Sequence, residues 1–321
     1  MSISVILATR NRANLLDQTL SSFAKLDTSG LAVEFLVVDN GSQDDTGDVL
    51  KRWSDRLPLN FWHCSTPGKN ICLNQAVKKS NGSLLVFTDD DVQANTSWLQ
   101  EFSAATERWP DHALFGGRID PQFPANTPKW IEHIKGQRTV LFSEYAPAGQ
   151  EGAVAKPPVG PNMLVRRSLF DLANFDETIG PAGNQYAMGS ETEFLNRMQR
   201  EQGQAFIYVP TAQVQHMIRE DQIAEEWMLG RAFRAGRGMA RAIQTKRKKI
   251  ASVPWPIWVR FGLAFIQSFP LQQRPLEQRF EKTWSLEKWK GCIFEYRSSA
   301  QSAGGPHNPI QHVNQKLNHP E

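Results

Sequence analysis

The chain has 321 residues, 40% of them hydrophobic and 21% charged, with a formal net charge of +3. That length allows one large core, or one core with an appendage, and the composition is that of a soluble globular protein. No stretch reaches the roughly 18 uncharged apolar residues of a membrane span, and no secretory leader precedes the first apolar run.

Cys64, Cys72 and Cys292 form neither an even set nor a metal-spaced pair, which points to a reducing compartment and a cytosolic enzyme. The net charge hides an asymmetry. Residues 227–276 carry ten Lys or Arg and no Asp or Glu, so the rest of the chain is net acidic.

Residues 3–8 read as a first strand, and Thr9, Arg10, Asn11 and Arg12 as the loop leaving it. Leu15, Leu16, Leu20 and Phe23 then fall at helical spacing. A second strand over 33–38 ends at Asp39, Asn40, Gly41 and Ser42, and a helix starting at Asp44, Asp45 or Thr46 continues through Val49, Leu50 and Trp53. A short strand at 59–63 leads to Pro67, Gly68 and Lys69, with 71–79 helical. Leu84, Leu85, Val86 and Phe87 then form an apolar run, as a strand buried on both faces requires, and run into Asp89, Asp90 and Asp91. Strand alternating with helix implies parallel pairing, a Rossmann-like half with its ligand beyond the carboxyl ends of the strands.

Three adjacent acids at a strand end repel one another unless a cation sits among them. Oxygen ligands of this kind suit Mg2+ or Mn2+. In an extended segment Asp89 and Asp91 face one way and Asp90 the other; the same run also reads as a solvated acidic turn before a helix near Trp98. Asp39 is placed to accept from a ribose or base, or to form the turn at Gly41. Arg10, Arg12 and Lys69 are candidates to face phosphate, although arginines in a loop can equally be solvated. No glycine-rich dinucleotide fingerprint or Walker loop is present, which disfavours a dinucleotide oxidoreductase or P-loop enzyme.

The order Val5 to Arg12, then Val37 to Ser42, then Phe87 to Asp91, resembles the family 2 glycosyltransferases of GT-A fold. The resemblance reaches to about Gly238. It implies a nucleotide-diphosphate sugar as donor, with a divalent metal (Mn2+ or Mg2+) bridging its diphosphate. Thr9, Arg12 and Asp39 would touch the nucleoside, Asp89 and Asp91 would be the DxD pair, and Asp90 and Asn74 would complete the donor site. The family often has an arginine before the asparagine where this chain has Leu73 before Asn74, so Lys69 is taken as the substitute cation. Its acidic pair falls on Ser190 and Glu191, so only Glu191 fills it, as the base that takes the acceptor's proton. Ser190 also reads as a helix N-cap with Glu193 at the capping-box position, and Glu193 competes for the role of base. His216, after a strand at 206–209, would complete the metal shell, though a lone histidine can be structural.

Residues 121–161 read as long and irregular. Trp130, Tyr145 and Tyr186 are candidates to stack on sugars or to lie in the core. Arg231, Arg234, Arg237 and Arg241 recur along one helix, followed by a basic and aromatic stretch that fits an anionic membrane surface better than nucleic acid, or else a packed helix with a basic outer face.

The expectation is an α/β protein of GT-A fold, with a Rossmann-like, mostly parallel central sheet flanked by helices and a helical C-terminal extension. Residues 1–240 form the catalytic domain (1–113 for the nucleotide sugar, 114–240 for the acceptor), 241–297 the basic, aromatic helical extension and 298–321 a disordered tail. The expected activity is inverting transfer to a saccharide or lipid-linked acceptor in the cytoplasm, with peripheral association at the cytoplasmic membrane face and no nucleic-acid partner. A sugar-nucleotide nucleotidyltransferase or an inactive carbohydrate-binding relative are the alternatives.

Overall fold

The computed structural model describes residues 1–181, 186–243, 247–269 and 274–304. Its first half alternates as the apolar pattern requires. The elements are β1 (Ser2–Thr9), α1 (Ala13–Phe23), β2 (Ala32–Asp39), α2 (Thr46–Ser54), β3 (Leu59–His63), α3 (Lys69–Lys79) and β4 (Leu84–Phe87). The order β3-β2-β1-β4 is parallel throughout, with Thr9 opposite Asp39 and Ile6 opposite Phe87. Alternate residues face opposite sides. Ile3, Val5 and Leu7 pack with α1, α2 and Trp98, whereas Ile6, Leu85 and Phe87 pack with α3 and with Phe194 and Met198.

β5 (Val92–Ala94) follows β4 after a tight reversal and crosses to the far edge of the sheet, followed by α4 (Trp98–Arg108) and β6 (Leu114–Gln122). The stretch expected to be irregular carries short elements, among them α5 (Arg138–Phe142) and β7 (Gly152–Val154). Then come β8 (Met163–Arg166), α6 (Ser190–Gln202) and the long β9 (Phe206–Met217). The nine-stranded sheet continues β4-β8-β6-β9-β5, with β7 also on β9. β8 is antiparallel to both β4 and β6, so β6 and its parallel neighbour β9 recover the direction of the first four strands. The sheet is thus mostly parallel, with β5, β7 and β8 reversed.

The C-terminal part holds α7 (Glu225–Ala242), a small β10 (Lys249–Ile250) and β11 (Val253–Pro254) hairpin, α8 (Trp255–Gln267) and α9 (Leu276–Gly304). α7 and α9 approach closely because glycines meet backbone: a Cβ on Gly236 would lie 1.8 Å from the Lys288 carbonyl oxygen, and one on Gly291 2.0 Å from that of Phe233. Between the helices, buried Glu295 accepts from Arg237 at 2.7 Å and from Arg241 at 2.6 Å. Half of the arginine stripe on α7 is therefore paired with an acid that lies beyond the 227–276 window. α9 continues past Ser298, where the sequence suggests the tail begins, and 305–321 lie outside the described residues.

Candidate active site

The loops after β1, β2 and β4 converge at the carboxyl ends of those strands. Thr88 is pinned there, donating its amide to Ile6 at 3.1 Å and its hydroxyl to the Pro161 carbonyl at 2.8 Å. The chain then turns at Asp90 and Asp91. This turn breaks the alternation expected of an extended segment, so Asp90 and Asp91 share a partner and Asp89 stands apart. Arg12 Nη1 donates to Asp90 Oδ1 at 2.7 Å and to Asp91 Oδ2 at 2.8 Å. The Thr9 hydroxyl donates to Asp90 Oδ2 at 2.7 Å. Burial raises the Asp90 pKa despite Arg12, and the guanidinium of Arg12 is itself held charged chiefly by Asp90.

Asp91 Oδ1 is buried with no hydrogen-bond partner among the described residues. It faces His216 Nε2 at 3.2 Å. His216 Nδ1 lies 2.9 Å from the carbonyl oxygen of Phe142, to which Nδ1–H donates, leaving the Nε2 lone pair towards Asp91. A lone pair facing a carboxylate oxygen calls for a positive charge between them, either a proton on Nε2 or a metal ion. Burial disfavours that proton, but Asp91 outweighs burial and raises the His216 pKa. Asp91 is also buried, yet His216, Arg12 and Arg219 depress its pKa. The donor set fits a divalent cation. Among the described residues no group of three His, Cys, Asp or Glu side chains closes a metal shell, because Asp89 turns elsewhere.

Asp89 turns to Lys69, the first residue of α3. Gly68 precedes it at φ 145°, where a side chain would be strained. Lys69 Nζ lies 2.7 Å from Asp89 Oδ1 and 2.7 Å from Glu191 Oε1. One ammonium thus joins the acid turn to the second residue of α6. The expected Ser190 cap is not formed: Gly189, left-handed at φ 104°, occupies that position, which places Ser190 inside the helix. Its hydroxyl donates instead to Glu191 Oε2 at 2.6 Å. Burial alone would raise the Glu191 pKa, but Lys69 and the hydrogen bonds from Lys69 and Ser190 lower it to about 2. Glu193 points away and accepts from Arg197 Nε at 2.8 Å.

Asp39 caps its own turn, accepting from the Ser42 amide at 2.9 Å, and faces His63 Nδ1 at 3.2 Å. Arg10 is exposed. The Asn74 amide group is fully engaged, donating to the Phe175 carbonyl and Glu177 and accepting from the Phe175 amide, so it ties α3 to the second half of the chain. Leu73 is core. Tyr145 is also core, packed edge-on against Tyr208, while Trp130 packs on Phe280 and Tyr186 lies under Arg234. A cavity of about 580 Å³ opens beside the acids, between the start of α1, Asp44, Asp45 and Arg219.

Several contributors carry no sequence signal. Arg219 brings Nη1 to 3.9 Å from Asp91 Oδ2. At Gly160 a Cβ would lie 2.6 Å from Glu191 Oε1, so the carboxylate rests directly on backbone. The carbonyl of Phe142 orients His216 from an element not foreseen.

Residues 4–172, more than half of the chain, match the model of Glycosyl transferase family 2. The chain belongs to that family. This family 2 protein is accordingly a glycosyltransferase of the hexosyltransferase type that uses a nucleotide-sugar donor. It is 23% identical over 251 residues to the glucosyl-dolichyl phosphate glucuronosyltransferase of Haloferax volcanii, an alignment covering 74% of this chain and 75% of that one. Among solved structures it resembles the mannosyltransferase PcManGT from Pyrobaculum calidifontis in complex with GDP-Man and Mn2+, with TM-score 0.53, 18% identity, and coverage of 95% of this chain and 76% of that one. It also resembles residues 1–349 of S. aureus TarS, with TM-score 0.51, 18% identity, and coverage of 94% and 92%. These likenesses support the GT-A fold.

Proposed function

We propose that this family 2 glycosyltransferase moves a sugar from a nucleoside-diphosphate donor to an acceptor hydroxyl by direct displacement with inversion. The observation that carries this reading is the Lys69 ammonium, held between Asp89 on the donor side and Glu191 on the other. Glu191 takes the acceptor's proton as the hydroxyl attacks, since a hydroxyl is a poor nucleophile until deprotonated. Lys69 and Arg12 face the departing diphosphate. While Lys69 holds Glu191, the carboxylate is too weak a base; a diphosphate that draws Lys69 to itself restores the basicity of Glu191. Asp39 orients the nucleoside, and Thr9 positions Asp90.

Asp91 and His216 would hold a divalent ion, with Asp89 closing on it when Lys69 moves. Such an ion supplies positive charge to the leaving group. Titration with Mn2+ and with Mg2+ would distinguish the two. A thermal-shift screen of nucleoside diphosphates with and without Mn2+ tests the reading, because a ligand that binds only the folded state raises the melting temperature. Lack of any shift for every nucleotide, with and without metal, would overturn it.

For the acceptor we take a saccharide or lipid-linked saccharide, in line with the name of the Haloferax relative. Peripheral binding to the cytoplasmic face of an anionic membrane is supported by α8, which exposes Trp255, Val259, Leu263 and Ile266 beside basic Lys248, Lys249 and Arg260. Among the described residues no helix is long and apolar enough to cross a membrane. The three cysteines are buried free thiols, which suits a reducing compartment.

A further inference from the structure

α7 divides its arginines between two sides. Arg237 and Arg241 turn to Glu295. Arg231 and Arg234, one turn apart, lie on the side facing the active site. Arg231 Nε donates to the Val140 carbonyl at 2.5 Å, the guanidinium sits 5.2 Å from the Trp227 ring centroid, and it is within electrostatic reach of Asp89 and Asp91. Arg234 lies 5.4 Å from the ring centroid of Tyr186, and its backbone carbonyl accepts from the amide of Met188, just ahead of the helix that carries Glu191. The buried Arg234 Nε has no acceptor, and among the described residues neither arginine forms an ion pair.

Two partly buried guanidinium groups close enough to repel each other are costly when no acid pairs directly with either, and a buried donor without an acceptor adds to that cost. Burial and the proximity of Arg234 both lower the pKa of Arg231. Aromatic rings under both cations hold the forks in place without neutralising them. Planar guanidinium forks of this kind match a phosphate group.

We propose that Arg231 and Arg234 form a phosphate site for the acceptor, so that the sugar-accepting molecule carries a phosphomonoester or phosphodiester close to the hydroxyl that attacks. This inference rests on the glycosyltransfer reading above and narrows its acceptor class. The source is the acceptor rather than the donor because of where the cations come from. Arg12 and Lys69, from the N-terminal half, already stand against the donor-side acids. Arg231 and Arg234 come from the C-terminal half, next to the segment leading to Glu191. The site recognises phosphate whether it is joined to a prenyl chain or to a polyol.

Calorimetric titration of the full-length protein, in the presence of a saturating nucleoside diphosphate and Mn2+, tests this with four probes: citronellyl phosphate, citronellol, glycerol phosphate and glycerol. At least one phosphate ester should bind about 10- to 100-fold more tightly than its parent alcohol, the scale of hydrogen bonds to a charged group. Arg231→Met/Arg234→Met should remove that difference while leaving nucleotide affinity unchanged, and Arg231→Lys/Arg234→Lys should restore part of it. Equal affinity of esters and alcohols for the wild type would overturn the proposal, and that comparison decides the matter even if the double methionine variant fails to fold. Loss of nucleotide and ester binding together in the variant would also overturn it, by assigning the arginines to the donor. Failure of any nucleotide to bind the wild type would instead refute the glycosyltransfer reading, a result visible before a phosphate ester is added.

Discussion

Lys69 Nζ lies 2.7 Å from Glu191 Oε1 and the same distance from Asp89 Oδ1, so one cation joins the proposed base to the acid turn. Glu191→Gln keeps the size of the side chain and removes the basic oxygen. It should retain nucleoside-diphosphate binding while turnover falls about 10²- to 10⁴-fold, the usual scale of general-base catalysis. Glu193→Gln removes only the partner of Arg197 and should stay near wild type. The reverse pattern would move the base to Glu193.

The same contact sets a pH dependence. Glu191 is lowered from an ordinary value of 4.5 to about 2, so its contribution to stability is present above 4.5 and is lost as pH falls towards 2. Lys69→Met removes the cause. The melting temperature of the variant should therefore fall furthest below wild type above about pH 5 and approach it only as pH falls to about 2 and below, where both forms carry a protonated Glu191. A gap that widens on acidification would show that the Lys69 contact does not govern this carboxylate.

Gly160 gives a test of geometry without touching a charge. A methyl group there would lie 2.6 Å from Glu191 Oε1, and the carboxylate would have to leave its position. Gly160→Ala should lower turnover while sparing nucleotide affinity. Turnover equal to wild type would mean that Glu191 need not rest on this backbone to function.

Asp91 and His216 face each other through atoms that need a positive charge between them. Asp91→Asn should abolish the added thermal stabilisation that Mn2+ gives to the nucleotide complex and lower transfer at least about 100-fold. Because Asp91 raises the His216 pKa, protons compete with metal, and the Mn2+ concentration for half-maximal stabilisation should increase as pH falls. Near-normal transfer in the presence of chelator would refute a metal requirement.

Much of this was legible in the chain. The parallel half follows from apolar runs alternating with helical spacing, and the convergence of Thr9, Arg12, Asp39 and Asp89 to Asp91 follows from strand ends lying on one edge of a parallel sheet. What was not legible depends on the exact path of the backbone. A turn at Asp90 and Asp91 replaced the extended alternation and regrouped the acids. A left-handed Gly189 moved the helix start by one residue and turned Ser190 from a cap into a donor to Glu191. Asn74 looked like a donor-site residue, but its partners, Phe175 and Glu177, lie far along the sequence. Charge counting over 227–276 could not include Glu295, which is brought to Arg237 and Arg241 only by the packing of α9 on α7.

That correction also decides how membrane binding should be tested. Removing the whole extension would take away α9 and strip α7 of its partner, so loss of lipid binding would mean little. The informative residues are on α8, where Leu263 is 53% exposed and Ile266 69% exposed on a face that includes Trp255 and Val259. Basic side chains near an anionic surface contribute about 1 kcal/mol each, and Lys248, Lys249 and Arg260 flank the apolar face. The protein should sediment with vesicles rich in phosphatidylserine at low salt and be released as salt screens the attraction. Leu263→Glu/Ile266→Glu places like charge against the lipid and should abolish sedimentation while leaving donor hydrolysis and melting temperature unchanged. If wild type ignores these vesicles but elutes as a dimer that the same variant dissociates, α8 is covered by a second copy of the chain rather than by lipid.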